Sequence, residues 1–279
     1  MELSSREIFG GFLLFIIIYA SLKRNYIEYF DSSLDNNHDN IIDQRGGDYN
    51  SYRSILHNQD NRTVQDPHEK QLIEKSKKDD MMRRYSEYKQ RIYTAILADS
   101  KEALDELEIP FFLSSGTCLG YFREDKFIDH DYDIDLGIFE QDYRPELIDK
   151  MAERGLHLYR VLGTRKDGME LSFKKKGTKL GHYAKVDIFL HYLEKEEREN
   201  EEDKEYCSWY SYKAPQFEEK IKYRVGKFDI IPVKFMGLIV NVPHPTLRYI
   251  LDHYGEDWLI PKKAGVDYYY ATSPKSIQE

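Results

Sequence analysis

Between His68 and Glu108 the apolar residues of "LIEKSKKDDMMRRYSEYKQRIYTAILADSKEALDEL" recur at helical spacing, and Pro110 ends the pattern. The spacing predicts one or two helices, a helical neck over 68–108, ahead of a globular unit over 109–279. Beyond Pro110 the rhythm changes to short apolar runs separated by glycine and polar residues. "PFFLSSG" and "DIDLGIF" read as strands, "RPELIDKMAERG" as a helix terminated by Gly155, and "MELSFKKK" and "AKVDIFLHYL" as further strands. "HPTLRYILDHYG" reads as a late helix ended by Gly255. The order β, β, α, β, β, α predicts an α+β domain, a mixed sheet with flanking helices. The charged run "EKEERENEEDKE", Glu194 to Glu205, reads as a solvated loop.

The N-terminal pattern is different. Residues 8–22, "IFGGFLLFIIIYASL", carry no charge, with Arg6 before them and Lys23-Arg24 after them. The run is shorter than the roughly 20 residues that span an average bilayer, although thinner early-secretory membranes accept shorter spans. No A-x-A-like cleavage site follows it, so an uncleaved signal anchor within 1–30 is expected, with a cleaved signal peptide and a buried helix as the alternatives. Lys23-Arg24 opposes a lumenal C-terminus. From 31 to 67 the chain is rich in Asn, Asp, Gln, Ser and Arg with isolated hydrophobes, the composition of a flexible stem.

The 279 residues carry 41 Lys and Arg against 50 Asp and Glu, a net charge of −9, so no basic excess advertises nucleic-acid binding and none is expected as a partner. An acidic protein that handles phosphates needs metal ions to offset its own field. Cys118 and Cys207 are far apart and lack zinc-ligand spacing, which leaves a single bridge as their one open use. The 23 tyrosines pack a core and its rim, or line a cleft where rings and hydroxyls are met.

The charge pattern turns sharpest in "SSGTCLGYFREDKFIDHDYDIDLGIF", where Asp131, Asp133 and Asp135 alternate beside an apolar run. Strand alternation sends Asp133 and Asp135 to one face and Ile134 and Leu136 to the other. Paired carboxylates raise each other's proton affinity unless a cation neutralises them, and oxygen ligands select a hard divalent ion, Mg2+ or Mn2+. "KVDIFL" repeats the grammar around Asp187, and a strand laid beside the first would bring Asp187 to the pair. Upstream, the turn Ser115-Gly116-Thr117 offers N–H groups and hydroxyls to a phosphate. Arg123 presents a bidentate donor to a diphosphate, or else pairs with Glu124 or Asp125. Lys185 is a further phosphate candidate. His130 and His182 are left out of the catalytic set. A Gly-Ser/Thr turn, a DxD strand and a third strand-borne Asp form the pattern of a nucleotidyltransferase-like fold.

The stretch "FFLSSGTCLGYFREDKFIDHDYDIDLGIFEQDY" resembles the fukutin branch of the LicD-type phosphotransferase family, and the resemblance continues through "MELSFKKK", "KVDIFLHY" and "VPHPTLRYILDHYGEDWLIP". It implies a metal-dependent transferase that moves a phosphorylated alcohol, ribitol 5-phosphate or phosphocholine, from a CDP-linked donor to a glycan or glycoprotein acceptor. It also implies a Golgi or endoplasmic reticulum membrane protein, single-pass with a lumenal catalytic domain. By position, Asp133, Asp135 and Asp187 match the metal carboxylates, with Asp187 either completing the metal site or taking the acceptor proton. Gly116 and Thr117, with Ser115, match the turn, and Arg123 the motif arginine. Asp131 matches an acidic position that fukutin-like sequences lack, and Asp129 stands where relatives often have proline. A catalytically inactive glycan-binding scaffold on the same fold is the alternative from another class.

Overall fold

The computed structural model describes residues 67–178, 180, 184–197, 204–212, 216–262 and 276–278. The expected anchor, nearly all of the stem and His182 lie outside these residues. Among the described residues no helix is long and apolar enough to cross a membrane. The turn Glu256–Lys262 forms part of a separate compact unit, closed locally by the Ile260 N–H on the Asp257 carbonyl at 2.9 Å. Everything below belongs to the other unit.

Its elements run α1 (Pro67–Glu106), β1 (Phe111–Leu113), α2 (Ser115–Glu124), β2 (Ile134–Phe139), α3 (Leu147–Glu153), β3 (Leu156–Thr164) and β4 (Asp167–Lys175). They continue through β5 (Lys185–Glu196), β6 (Lys204–Tyr212), β7 (Lys220–Gly226), β8 (Asp229–Phe235), β9 (Leu238–His244), α4 (Thr246–Tyr254) and β10 (Ser276–Gln278). The α+β class and the mixed sheet are as the pattern predicts. β1 pairs antiparallel with β2, β2 runs parallel to β5, and β4 lies antiparallel on the other side of β5 and pairs with β3. The far half of β5 then pairs with β6, and the sheet continues through β7 to β10.

The parallel step places Asp135 directly beside Asp187, as adjacent strands were expected to do. Ile134, Leu136, Val186 and Ile188, the neighbours of these acids, are fully buried, so alternation drives the carboxylates to the opposite face. The 40-residue α1 is one helix, and its second half carries a buried face. Lys89, Tyr93, Ile96, Leu97, Ser100, Ala103 and Leu104 form a buried stripe at spacings of three and four, and each large apolar member contributes about 1.5–3 kcal/mol.

The chain also departs from the expected element list. β3, β6, β7 and the β8–β9 hairpin were not anticipated as strands. The acidic run is strand at both ends: β5 reaches Glu196 and β6 starts at Lys204, with Lys195 opposite Glu205 and Glu196 opposite Lys204. Opposite charges facing across the ladder stabilise the pairing that a run of like charge would oppose. The β8–β9 hairpin closes through Met236 and Gly237, both at positive φ (50° and 83°), as the tight mirror-type turn demands. Cys118 and Cys207 are both buried free thiols, so no bridge joins them.

Candidate active site

The apolar strand β1 ends at Leu113 and the chain turns at once into α2, so the motif Ser114-Ser115-Gly116-Thr117 sits at the mouth of the sheet. This turn grips Asp135. The Ser114 N–H donates to the Asp135 carbonyl at 3.0 Å, the Asp135 N–H donates to Thr117 Oγ1 at 2.8 Å, and the Gly116 N–H donates to Asp135 Oδ2 at 3.0 Å. The start of a helix, where N–H groups lack partners, therefore takes a carboxylate of the chain itself. Ser115 occupies the left-handed region at a φ of 40°, a conformation that costs a non-glycine residue free energy. Tyr249, fully buried on α4, secures it: its hydroxyl oxygen accepts the Ser115 N–H at 3.0 Å and lies 3.1 Å from Ser114 Oγ.

Around this turn the carboxylates gather. Among the described residues, Asp131, Asp133 and Asp135 each offer an oxygen within 4.8 Å of the others. Asp187 stands beside them, joined through Lys185, whose Nζ lies 2.5 Å from Asp133 Oδ2 and 2.8 Å from Asp187 Oδ2. The expected set named Asp133, Asp135 and Asp187 and left Asp131 aside. The tightest triad contains Asp131 because residues 128–133 are not strand: the Asp131 N–H returns to the Ile128 carbonyl at 3.1 Å, and this turn carries the side chain back over Gly116. Gly116 is required there, since a Cβ would collide with Asp131 Oδ2 and stand 3.2 Å from Asp135 Oδ2.

Burial and mutual repulsion set the protonation of the cluster. Burial, then Asp133, pushes Asp131 up to about 7. Burial and the neighbouring acids hold Asp135 well above the carboxylate range. Burial also opposes charge on Asp133, but Lys185 outweighs it and keeps that group below its ordinary value. Asp187 is raised by burial in spite of Lys185, and Glu170 is pushed up to about 7 by burial and by Asp187. Such a cluster holds protons where it lacks a cation.

Three residues of α1 that sequence reasoning passed over build the acidic loop. Lys89 of α1, 2% exposed, donates from Nζ to the carbonyls of Ile128 at 2.8 Å and Asp129 at 2.9 Å, and to that of Asp131. About one turn earlier, Ser86 Oγ donates to Asp129 Oδ1 at 2.5 Å, and the next residue after Lys89, Gln90, takes the Phe127 N–H at 3.0 Å and returns a bond to its carbonyl at 2.7 Å. The signal was present: a lysine on the stripe that continues through Tyr93, Ile96 and Leu97 has no business on an apolar face without partners. Tyr249 lies 135 residues from Ser114, and nothing local announces it.

Other expected residues fall elsewhere. Arg123 is buried at the last turn of α2, seven residues and about 10 Å along the helix from Gly116, with its Nε and Nη2 on Glu124 Oε1 at 3.0 and 2.6 Å. Its fork is therefore engaged by a carboxylate, the pairing set against the phosphate clamp above, and its place in the fold is in the core rather than on the surface. Of the lysine run, Lys175 is bound to Asp99 at 2.7 Å, and Lys174 covers the Tyr159 ring at 3.9 Å.

The donor set fits a hard divalent cation. Every candidate ligand atom is a carboxylate oxygen, and Asp187 Oδ1 is buried with no hydrogen-bond partner among the described residues. Residues 108–245 match the family model described as the LicD/FKTN/FKRP nucleotidyltransferase domain. The chain is 36% identical over 183 residues to the ribitol-5-phosphate transferase FKTN of Mus musculus, and 34% identical over 183 residues to that of Homo sapiens. Each match covers 66% of this chain and 36% of the relative's length, so the chain spans little more than a third of these curated relatives. An uncharacterized protein of Caenorhabditis elegans is 26% identical over 187 residues, 66% of this chain and 46% of that protein.

Proposed function

Because the chain is a fukutin-like member of the LicD family, we propose that it transfers ribitol 5-phosphate, or a similar phosphorylated alcohol, from a CDP-linked donor to a glycan acceptor. The observation that carries this reading is the cluster of Asp131, Asp133 and Asp135 clasped by the Ser115–Thr117 turn, with Asp187 on the adjacent strand. A bound Mg2+ or Mn2+ would polarise the donor diphosphate and offset charge on the leaving CMP.

The chain's own residues supply the rest. Asp131, Asp133 and Asp135 would hold the ion, and Asp187 would complete that site or receive the proton of the acceptor hydroxyl. Gly116 and Thr117 act by holding Asp135 in place, leaving the Ser115 side chain to face the donor. Arg123 would clamp the donor phosphates, with its ion pair to Glu124 as the structural alternative.

The test is transfer from CDP-ribitol, with CDP-choline in parallel, with and without Mg2+ or Mn2+. Asp133→Asn and Asp135→Asn keep the shape and remove the anion, so turnover should fall by orders of magnitude while the fold persists. Near-wild-type turnover in either variant would sink the mechanism. Turnover of CDP-choline alone would move the donor to phosphocholine. Absence of cleavage of either donor by a folded, metal-binding protein would favour the glycan-binding scaffold. Residues 8–22 are assigned as an anchor in the Golgi or endoplasmic reticulum membrane with the domain in the lumen, and digestion of the domain in sealed microsomes without detergent would reverse that orientation.

A further inference from the structure

The cluster is not short of cations in its present state, but the way they are spent differs from group to group. Lys89 is committed to three backbone carbonyls, and its removal would release the acidic loop. Arg123 is committed to Glu124. Lys185 alone of these three is held by carboxylates of the cluster, through Asp133 Oδ2 and Asp187 Oδ2, and it is the first residue of β5, where its side chain retains 16% exposure.

The register explains why. Val186 pairs with Ile134, so Lys185 stands beside Asp133, the residue just before β2, and shares the face of Asp187 two positions on. The ammonium thus sits on oxygens of the same acids that the reading above gives to a divalent ion. Two cations on the same carboxylate oxygens repel at short range. The lysine stem is long and rotatable, and its three donors suit a phosphate oxygen as well as a carboxylate.

We propose that Lys185 is an exchangeable counter-ion: its ammonium occupies Asp133 and Asp187 until those oxygens are given to a divalent cation, and it then turns to bind a phosphate of the donor. This rests on the metal-dependent reading above and assigns the donor's anionic group a protein partner. Without metal, Lys185 bridges two acids and offsets one negative charge between them, protons on the raised carboxyls offsetting the rest. With metal and donor present, the ion replaces those positive charges at the acids and the ammonium offsets one charge of the phosphate. A fixed ion pair of purely structural value would do neither.

The two roles have opposite signs when the ammonium is removed. Lys185→Met, which keeps length without charge, should bind Mn2+ alone about tenfold more tightly than wild type, because the competing cation is gone, a size ordinary for coupling between sites. In saturating Mn2+ the same variant should bind CDP about tenfold more weakly, and Lys185→Arg should regain part of that loss. Unchanged or weaker Mn2+ binding by folded Lys185→Met overturns the proposal, as does unchanged CDP binding. If Lys185→Met does not fold, wild-type protein decides the matter. Acylation of Lys185 by an N-hydroxysuccinimide ester, read by peptide mass spectrometry, should rise when Mn2+ is added and fall again when CDP follows. Labelling indifferent to Mn2+ overturns the proposal. Mn2+ binding in wild type with an indifferent Lys185 sinks this inference alone, whereas no Mn2+ binding in wild type sinks the metal-dependent reading as well.

Discussion

Asp135 accepts the backbone N–H of Gly116 at 3.0 Å, and the same oxygen would stand only 3.2 Å from a Cβ on that glycine. Gly116→Ala therefore forces the new methyl against both Asp131 and Asp135. Overpacking of this kind costs about 1–3 kcal/mol of stability. The larger effect falls on the site: Mn2+ affinity should drop by about tenfold or more as the carboxylates are pushed apart, each tenfold step being about 1.4 kcal/mol of binding. Denaturant melts and Mn2+ titration of the same sample separate the two effects.

Asp131→Asn tests whether the third acid belongs to the site. The resemblance assigned it a minor role, yet its oxygen lies with those of Asp133 and Asp135. The variant should lose at least about tenfold in Mn2+ affinity, comparable to the loss in Asp135→Asn, while its metal-free melting temperature holds or rises because a buried like charge has gone. Asp129→Asn is the control: its carboxylate is bonded to Ser86 and Lys126, and metal affinity should be little changed.

Lys89→Met removes a buried ammonium and leaves the carbonyls of Ile128, Asp129 and Asp131 without their donor. Stranded buried acceptors cost about 1–3 kcal/mol each, partly offset by the released desolvation penalty of the charge, so a net loss of about 2–4 kcal/mol is expected. Urea denaturation measures it. Because the loop is freed along with the helix contact, Mn2+ affinity should fall too, although Lys89 touches no metal ligand atom.

The metal-free domain should lose stability as pH rises from about 6.5 to 7.5. Asp131 and Glu170 are pushed up to about 7, and burial and the neighbouring acids raise Asp135 well above the carboxylate range, so the folded chain binds these protons more tightly than the unfolded one. A raised carboxyl gives stability that is complete below the unfolded value and is lost as pH climbs through the folded value. His191 and His253, held down to about 3 by burial, act in the opposite sense, but their contribution changes only below their unfolded value near 6.5. Saturating Mg2+ should flatten the decline by replacing the protons. Melting temperatures across this window, with and without Mg2+, check both signs.

Much of the site was legible because its chemistry is local. Strand alternation around Asp135 and Asp187 needs only their immediate apolar neighbours, and the turn at Gly116 follows directly from a strand that stops. The glycine-ended helices α3 and α4 were equally open to reading, with Gly155 and Gly255 at positive φ after them. What escaped was non-local. Ser86, Lys89 and Gln90 meet the acidic loop about 40 residues away, and Tyr249 reaches Ser114 across 135 residues. Asp131 was set aside on the resemblance alone, and the turn before β2 that carries its oxygen to the pair is not a strand pattern. The β8–β9 hairpin carried its signal in Met236-Gly237, a two-residue turn between alternating apolar positions.

The long helix α1 sets a working radius for the domain. Its first turns, Lys70 to Asp79, are almost wholly solvent-exposed, and Ser86 is the first of its residues to grip the acidic loop. Nineteen residues of helix separate Pro67 from Ser86, about 28 Å of stiff rod. The rod thus carries Pro67 well away along the helix axis from the contact that Ser86 makes with the acidic loop. Deleting whole turns ahead of Ser86 would shorten the rod in steps of about 5 Å without altering one residue of the carboxylate cluster.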